Sequence, residues 1–247
     1  MSQVHSVLQG KGGIGKSVVA YLIAQYLESL KKPMVAIDID PVNATLTSYK
    51  GLNVTRKNVI EDGEIIAGSF DEMMEEIISD DESNFVIDNG ASSFVPFVRY
   101  LLKNDIIDIL SESGKEVYVH TVIKAGQDLK ITLAGFDSLA EQLPESARII
   151  VWLNEFMGEI AFDGKRFEDM KVYKKNKDRV HGIIRVKPQS GTDYGADMKR
   201  MLGNWLTFDE AIASPAFGVI PRKRLQRVRK EIFDQLDSVI NKEVEHA

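Results

Sequence analysis

The 247-residue sequence has no cysteine, which excludes disulfide scaffolds, thiolate metal sites and cysteine nucleophiles, and fits a reducing compartment. No apolar run approaches the ~20 residues that a membrane span requires. The N-terminal Met-Ser-Gln-Val-His-Ser lacks the basic-then-apolar order of a signal peptide. Lysine and arginine, 31 together, are outnumbered by 37 aspartates and glutamates, for a net charge of −6. That excludes a uniformly basic nucleic-acid binder and leaves room for a local basic patch. The four histidines, His5, His120, His181 and His246, are scattered without metal-ligand spacing. His120 and His181 fall in or beside strands and read as satisfied core or edge residues. Neither a Gly-x-Ser-x-Gly elbow nor a His-Glu-x-x-His pair is present. What remains is a chain expected to be soluble and cytoplasmic, with 44% hydrophobic residues to fill a core.

Short apolar runs alternate with longer amphipathic ones, the pattern of a parallel α/β sheet with helices on both faces. Strands are expected at Val4–Leu8, Met34–Ile39, Phe85–Ile87, Val117–Ile123, Arg148–Leu153 and Arg179–Val186. Helices are expected from Lys16 to Leu30 and from Phe70 to Ser79. Thr207-Phe-Asp-Glu210 is a capping box opening a short helix that stops near Ser214–Pro215. Leu225, Val228, Ile232, Leu236 and Val239 recur on one face of a last helix, expected over 222–244. With no repeat and no Pro/Ser linker, a single domain over 1–247 is expected, and the Lys/Asp-rich 158–178 reads as an exposed excursion.

Gly10-Lys11-Gly12-Gly13-Ile14-Gly15-Lys16-Ser17 matches the phosphate-binding P-loop, G-x-x-x-x-G-K-[ST]. The glycines let backbone N–H groups turn toward phosphate oxygens, and the next helix, starting with Lys16, Ser17 and Val18, presents its positive end to the same anion. In such a loop Lys16 reaches the β- and γ-phosphates and the Ser17 hydroxyl ligates Mg2+. Asp38-Ile39-Asp40-Pro41 sets two carboxylates at i and i+2, facing the same way toward the edge that carries the P-loop. Phe85-Val86-Ile87-Asp88 is an apolar strand ending in an aspartate, the Walker B pattern. Each aspartate alone would read as a strand-ending turn; third in order after the P-loop and the Asp-x-Asp strand, Asp88 becomes a candidate outer-shell Mg2+ partner.

Lys11 completes Lys-Gly-Gly-Ile-Gly-Lys-Ser, which resembles the deviant Walker A box of the ParA/MinD ATPase family. The resemblance implies that Lys11 crosses a dimer interface and stabilises transition-state charge on the partner's ATP, as an arginine finger does elsewhere. It also implies that Asp40 orients the attacking water, that Asp38 supports Mg2+ or the water network, and that Asp88 is an outer-shell Mg2+ partner. Asn154, ending Val151-Trp152-Leu153-Asn154, would contact the adenine edge, which an amide can match with one donor and one acceptor. Pro188 and its neighbours would flank the base. Asn89-Gly90-Ala91-Ser92 departs from the Thr-Pro-Pro of partition ATPases, leaving Gly90 to supply a mobile turn.

Val7-Leu8-Gln9-Gly-Lys-Gly-Gly, Val119–Gly126 and Trp152-Leu-Asn-Glu155 look most like the TraL/StbB-type ATPases of conjugative plasmids. A slow, partner-stimulated, Mg2+- and ATP-dependent dimerisation switch in plasmid transfer or maintenance is the implied function, with a homodimer and a protein of the transfer or partition apparatus as partners. A metabolic P-loop ligase or carboxylase and a non-enzymatic nucleotide-binding adaptor are the alternatives. Partition ATPases also bind DNA nonspecifically. The basic cluster from Arg222 to Lys230 places Lys223, Arg227 and Lys230 opposite the apolar stripe, a solvated face or a DNA-backbone patch. The tail Asn241–Ala247 is partly acidic and poor in aromatics, so no membrane anchor is expected.

Overall fold

Apolar runs bounded on both sides by amphipathic segments demand cover on both faces, and the chain supplies it. A computed structural model describes residues 1–61, 64–66, 68–188 and 191–241, of residues 64 and 65 the backbone alone. Seven strands form the central sheet: β1 (Gln3–Val7), β2 (Met34–Asp38), β3 (Val54–Arg56), β4 (Asn84–Asp88), β5 (Glu116–Lys124), β6 (Ala147–Asn154) and β7 (Val180–Val186). Their order is β7-β6-β5-β1-β4-β2-β3 and every pairing is parallel. All five residues of β1 and of β4 are buried, as strands covered on both faces must be.

One face packs against α2 (Ser69–Ser79), α3 (Ala91–Lys103), α4 (Ile106–Glu112) and α5 (Leu129–Gln142) through Phe70, Phe97, Ile107 and Phe136. The other is covered by α1 (Lys16–Ser29), with α7 (Asp193–Gly203), α8 (Phe208–Ala213) and α9 (Val219–Ile240) around it, joined through Leu22, Met201, Phe208 and Leu236. The capping box at Thr207 and Glu210 is formed. The last helix starts three residues before Arg222, because Pro221 falls in its first turn, where a missing N–H costs nothing. The expected end at 244 lies outside the described residues.

The segment 158–178 is exposed only in part. It forms the hairpin Ala161–Phe162/Lys165–Arg166, a short 3-10 turn and α6 (Lys171–Asn176). Ile160, Phe167 and Met170 are buried in the core shared with α5. The charges face out while every few residues one apolar side chain points in.

The histidines of the sheet are satisfied core groups. Trp152 Nε1–H donates to His120 Nδ1 at 2.9 Å, and His120 Nε2 meets His5 Nδ1 at 3.0 Å. That order places the His120 proton on Nε2, and leaves the His5 proton on Nε2, facing Gln3 Oε1 at 3.4 Å. Both rings are fully buried, and burial drives both pKa values down, His5 to about 3. His181 Nε2 lies 3.0 Å from the Val239 carbonyl of α9.

Candidate functional site

The sheet places the chemistry at one edge. In a parallel sheet the strand order reverses direction beside the first strand, and ligands bind outside the carboxyl ends there. Residues following β1, β2, β4, β5 and β6 all emerge at that edge. Asp38 and Asp88 are register partners on adjacent strands, and Lys124 and Asn154 are partners on the next pair.

The P-loop bends through Gly13 (φ +71°) and Gly15 (φ +102°), left-handed values at which a side chain would be strained, and enters α1 at Lys16. An open cleft of about 570 Å³ is lined by Gly12, Gly13, Gly15, Lys16, Ser17 and Val18 of this segment, with Asp40, Asn43, Thr45 and Ser92 opposite. Lys16 is buried, and its Nζ donates to the Lys11 carbonyl at 3.0 Å. Burial lowers its pKa, against the attraction of Asp88 and Asp40. Gly10 closes the loop from below: its N–H donates to Gln9 Oε1 at 2.9 Å, and a Cβ there would stand 3.0 Å from the Phe94 ring.

Asp38 is fully buried. Its Oδ1 accepts the Asp40 N–H at 3.1 Å, and its Oδ2 accepts the Thr47 N–H and hydroxyl at 3.2 and 3.0 Å. Asp40 Oδ1 in turn accepts the amides of Val42 and Asn43 at 2.9 and 3.0 Å. Gly90 is required beside it, since a methyl group at that position would collide with the Asp40 carboxyl. Asp88 differs from both: it is buried, and neither carboxyl oxygen has a hydrogen-bond partner. Burial raises its pKa to about 7, the charges of Asp38 and Asp40 adding to the rise while nearby Ser17 and Lys16 oppose it. Burial raises Asp38 as well, against its backbone and Thr47 hydrogen bonds.

Two orphaned, buried carboxyl oxygens beside a second buried carboxylate and a serine hydroxyl fit a hard divalent cation. Among the described residues no three His, Asp or Glu side chains form a complete cage. Mg2+ keeps waters and substrate phosphates in its shell. Ser17, Asp38 and Asp88 are the groups that would hold it.

Beyond the loop an apolar cavity of about 280 Å³ opens between α1, α7 and α9. Gly13, Gly15, Trp152, Asn154 and Val186 line it, together with Val19, Leu22, Met198, Leu202, Val228 and Ile232. Its place beside the loop suits a nucleobase. Pro188 is exposed and lies outside this lining, which Val186 reaches instead. Asn154 reaches the cavity, yet its amide is engaged: Nδ2 donates to the Ile14 carbonyl at 2.8 Å, and Oδ1 accepts the Phe156 N–H at 3.3 Å.

Lys11 is two-fifths exposed at the rim, 3.6 Å from Asp128. Lys124, at the end of β5, pairs with the same carboxylate at 3.0 Å and donates to the Gly13 carbonyl at 3.0 Å. Helix α9 carries the basic cluster, but acids neutralise much of it. Arg224 pairs with Asp193 and Asp197, Arg229 with Asp209, and Lys230 with Asp234. Lys223 and Arg227 are exposed, the latter donating to the Tyr194 hydroxyl at 2.9 Å.

Thr47, Phe94, Lys124 and Asp128 were not expected at the site. Thr47 lies nine residues beyond Asp38 with no fixed spacing to announce it, and Lys124 is placed only by strand register.

A family model described as the CobQ/CobB/MinD/ParA nucleotide binding domain matches residues 5–237. Protein TraL of Escherichia coli is 46% identical over 238 residues, covering 96% of this chain and 98% of its own length. Among solved structures, a putative plasmid partition protein from Borrelia burgdorferi bound to AMPPNP superposes with a TM-score of 0.54 at 15% identity, over 95% of this chain and 99% of that one. The MinD cell division protein of Aquifex aeolicus gives 0.52 at 15% identity, over 94% and 98%. At that identity the two structures speak for the fold, a P-loop NTPase sheet.

Proposed function

The chain belongs to the CobQ/CobB/MinD/ParA nucleotide-binding domain family, and from that premise we propose that it is a cytoplasmic Mg2+-dependent ATPase that dimerises around ATP. The observation that carries the reading is the convergence of a P-loop and the Asp40 carboxylate on one cleft, with the orphaned Asp88 oxygens buried near Ser17 and Lys16. The likeness to Protein TraL supports a role in conjugative plasmid transfer or plasmid maintenance, through a protein partner of that apparatus.

The loop amides and the N-terminus of α1 receive the phosphates. The Lys16 ammonium exchanges the Lys11 carbonyl for phosphate oxygens, a stronger acceptor for a buried cation. Asp40, anchored by the Val42 and Asn43 amides, holds the attacking water in line with the γ-phosphorus. Mg2+, when bound, neutralises charge on the phosphates and on the Asp88–Asp38 pair. Lys11, held by one loose ion pair at the rim, is free to reach the nucleotide of a second copy. Hydrolysis is slow until the partner protein acts, as a switch requires.

The test is phosphate release and light-scattering mass with ATP and Mg2+. Lys16→Ala should lose nucleotide binding, Lys11→Ala should lose ATP-dependent dimerisation, and Asp40→Ala should persist as an ATP-bound dimer. An unchanged monomer for both wild type and Asp40→Ala in saturating ATP would refute the switch.

A further inference from the structure

Two consecutive peptides of the P-loop are gripped from outside by side chains from neighbouring strand ends. Lys124 Nζ holds the Gly13 carbonyl at 3.0 Å, and Asn154 Nδ2 holds the Ile14 carbonyl at 2.8 Å. The two side chains are register partners on β5 and β6, so the sheet itself sets their spacing. In a trans peptide the carbonyl and the following N–H point in opposite directions, and no peptide here is cis. Fixing the Gly13 oxygen therefore fixes the Ile14 N–H, and fixing the Ile14 oxygen fixes the Gly15 N–H. Among the described residues neither of these amides has an intrachain acceptor. Asp128 Oδ2, 3.0 Å from Lys124, keeps that ammonium over the loop.

We propose that Lys124 and Asn154 are positioning residues that pin the Gly13 and Ile14 carbonyls outward and so preorganise the Ile14 and Gly15 amides as phosphate donors. This rests on the reading of the loop as a phosphate site, and it assigns Asn154 to the cradle instead of to the base. The gain is entropic: glycines that permit the turn also permit many others, and two external hydrogen bonds select the one that faces an anion.

The experiment is calorimetric titration of the full chain with ADP, inorganic pyrophosphate and adenosine, together with 15N–1H spectra of the loop. Lys124→Met and Asn154→Ala should each weaken ADP and pyrophosphate about tenfold, the scale of one hydrogen bond to a charged group. Adenosine affinity should stay within twofold. Lys124→Arg, which keeps a cationic donor, should retain most of the pyrophosphate affinity. Asn154→Ala removes no charge, so its loss would not be a simple electrostatic one. The Ile14 amide resonance should broaden in Lys124→Met and that of Gly15 in Asn154→Ala. Unchanged pyrophosphate affinity in both variants overturns the proposal, as does an Asn154→Ala variant that loses adenosine and ADP equally, the behaviour of a base contact. A chain that binds pyrophosphate in this pattern but never hydrolyses ATP sinks the ATPase reading alone. A wild type that binds neither pyrophosphate nor ADP sinks both.

Discussion

Replacing His5 by glutamine should make the protein less sensitive to acid. In the folded chain His5 is neutral, its Nδ1 accepting from His120 and its pKa held at about 3 by burial. Adding a proton would set N–H against N–H inside a dry sheet. For a base whose folded pKa is depressed, the stabilisation is complete above the unfolded value of 6.5 and declines as pH falls toward 3, because the unfolded chain takes the proton first. From about pH 7.5 to about pH 5, roughly 1.5 units of that window are crossed, at about 1.4 kcal/mol per unit. The loss traceable to His5 is therefore about 2 kcal/mol, a sizeable part of a typical folding free energy of ~5–15 kcal/mol. Glutamine can still accept from His120 but has nothing to titrate. Urea unfolding followed by far-UV circular dichroism gives both stabilities at each pH. Whatever His5→Gln costs near neutrality, the gap to wild type should close by about 2 kcal/mol at the acidic pH. Carboxyl groups such as Asp88, common to both proteins, drop out of the difference. A gap that stays constant within about 0.5 kcal/mol would refute the buried-neutral assignment.

Other consequences can be checked individually. Gly90→Ala forces a methyl group onto the Asp40 carboxyl; turnover should fall at least about tenfold with ADP affinity nearly unchanged, as expected for displacement of a water-orienting group. Thr47→Ala takes away one of three donors to Asp38, so its carboxyl pKa should rise further and the Mg2+ concentration for half-maximal turnover should increase severalfold. Glu210→Ala removes the acceptor of the Thr207 amide and hydroxyl and should cost about 1 kcal/mol in urea. On α9 the ion pairs engage three of the six basic residues between Arg222 and Lys230. Duplex-DNA retention should therefore fall with salt along a log–log slope no steeper than about −3, and a slope near −6 would show the whole cluster engaged.

Six of the seven sheet strands and the loop were legible because their signals are local, whereas the three-residue edge strand Val54–Arg56 is too short to announce itself. Short apolar runs mark those six strands, clearest in Met34–Ile37 and Ile149–Leu153, and a P-loop is a contiguous string. Misses fall where the determinant is distant or contradictory. Helix α3 carries Pro96 in its interior and opens on Ala-Ser-Ser, which reads as a turn, although the missing N–H forgoes only one bond to the Ser92 carbonyl. Ile160, Phe167 and Met170 are too sparse within 158–178 to form a period, so their burial is visible only once α5 stands opposite. At the site, residue types and positions for Asp38, Asp40 and Asp88 follow from strand ends. The grip of Asn154 on Ile14 spans 140 residues of sequence, and only the sheet register makes that contact local.

Trp152 belongs both to the wall of the apolar cavity and to the histidine chain, donating its indole proton to His120. The other tryptophan, Trp205, is nearly half exposed and meets Tyr49 edge-on, 5.4 Å between ring centres. The chain thus carries two optically separable reporters: a blue-shifted emitter whose ground state is hydrogen-bonded to a ring nitrogen, and a red-shifted one accessible to iodide. A base stacking in the cavity should quench the first and spare the second, so that ligand entry is visible in the colour of the emission without any attached dye.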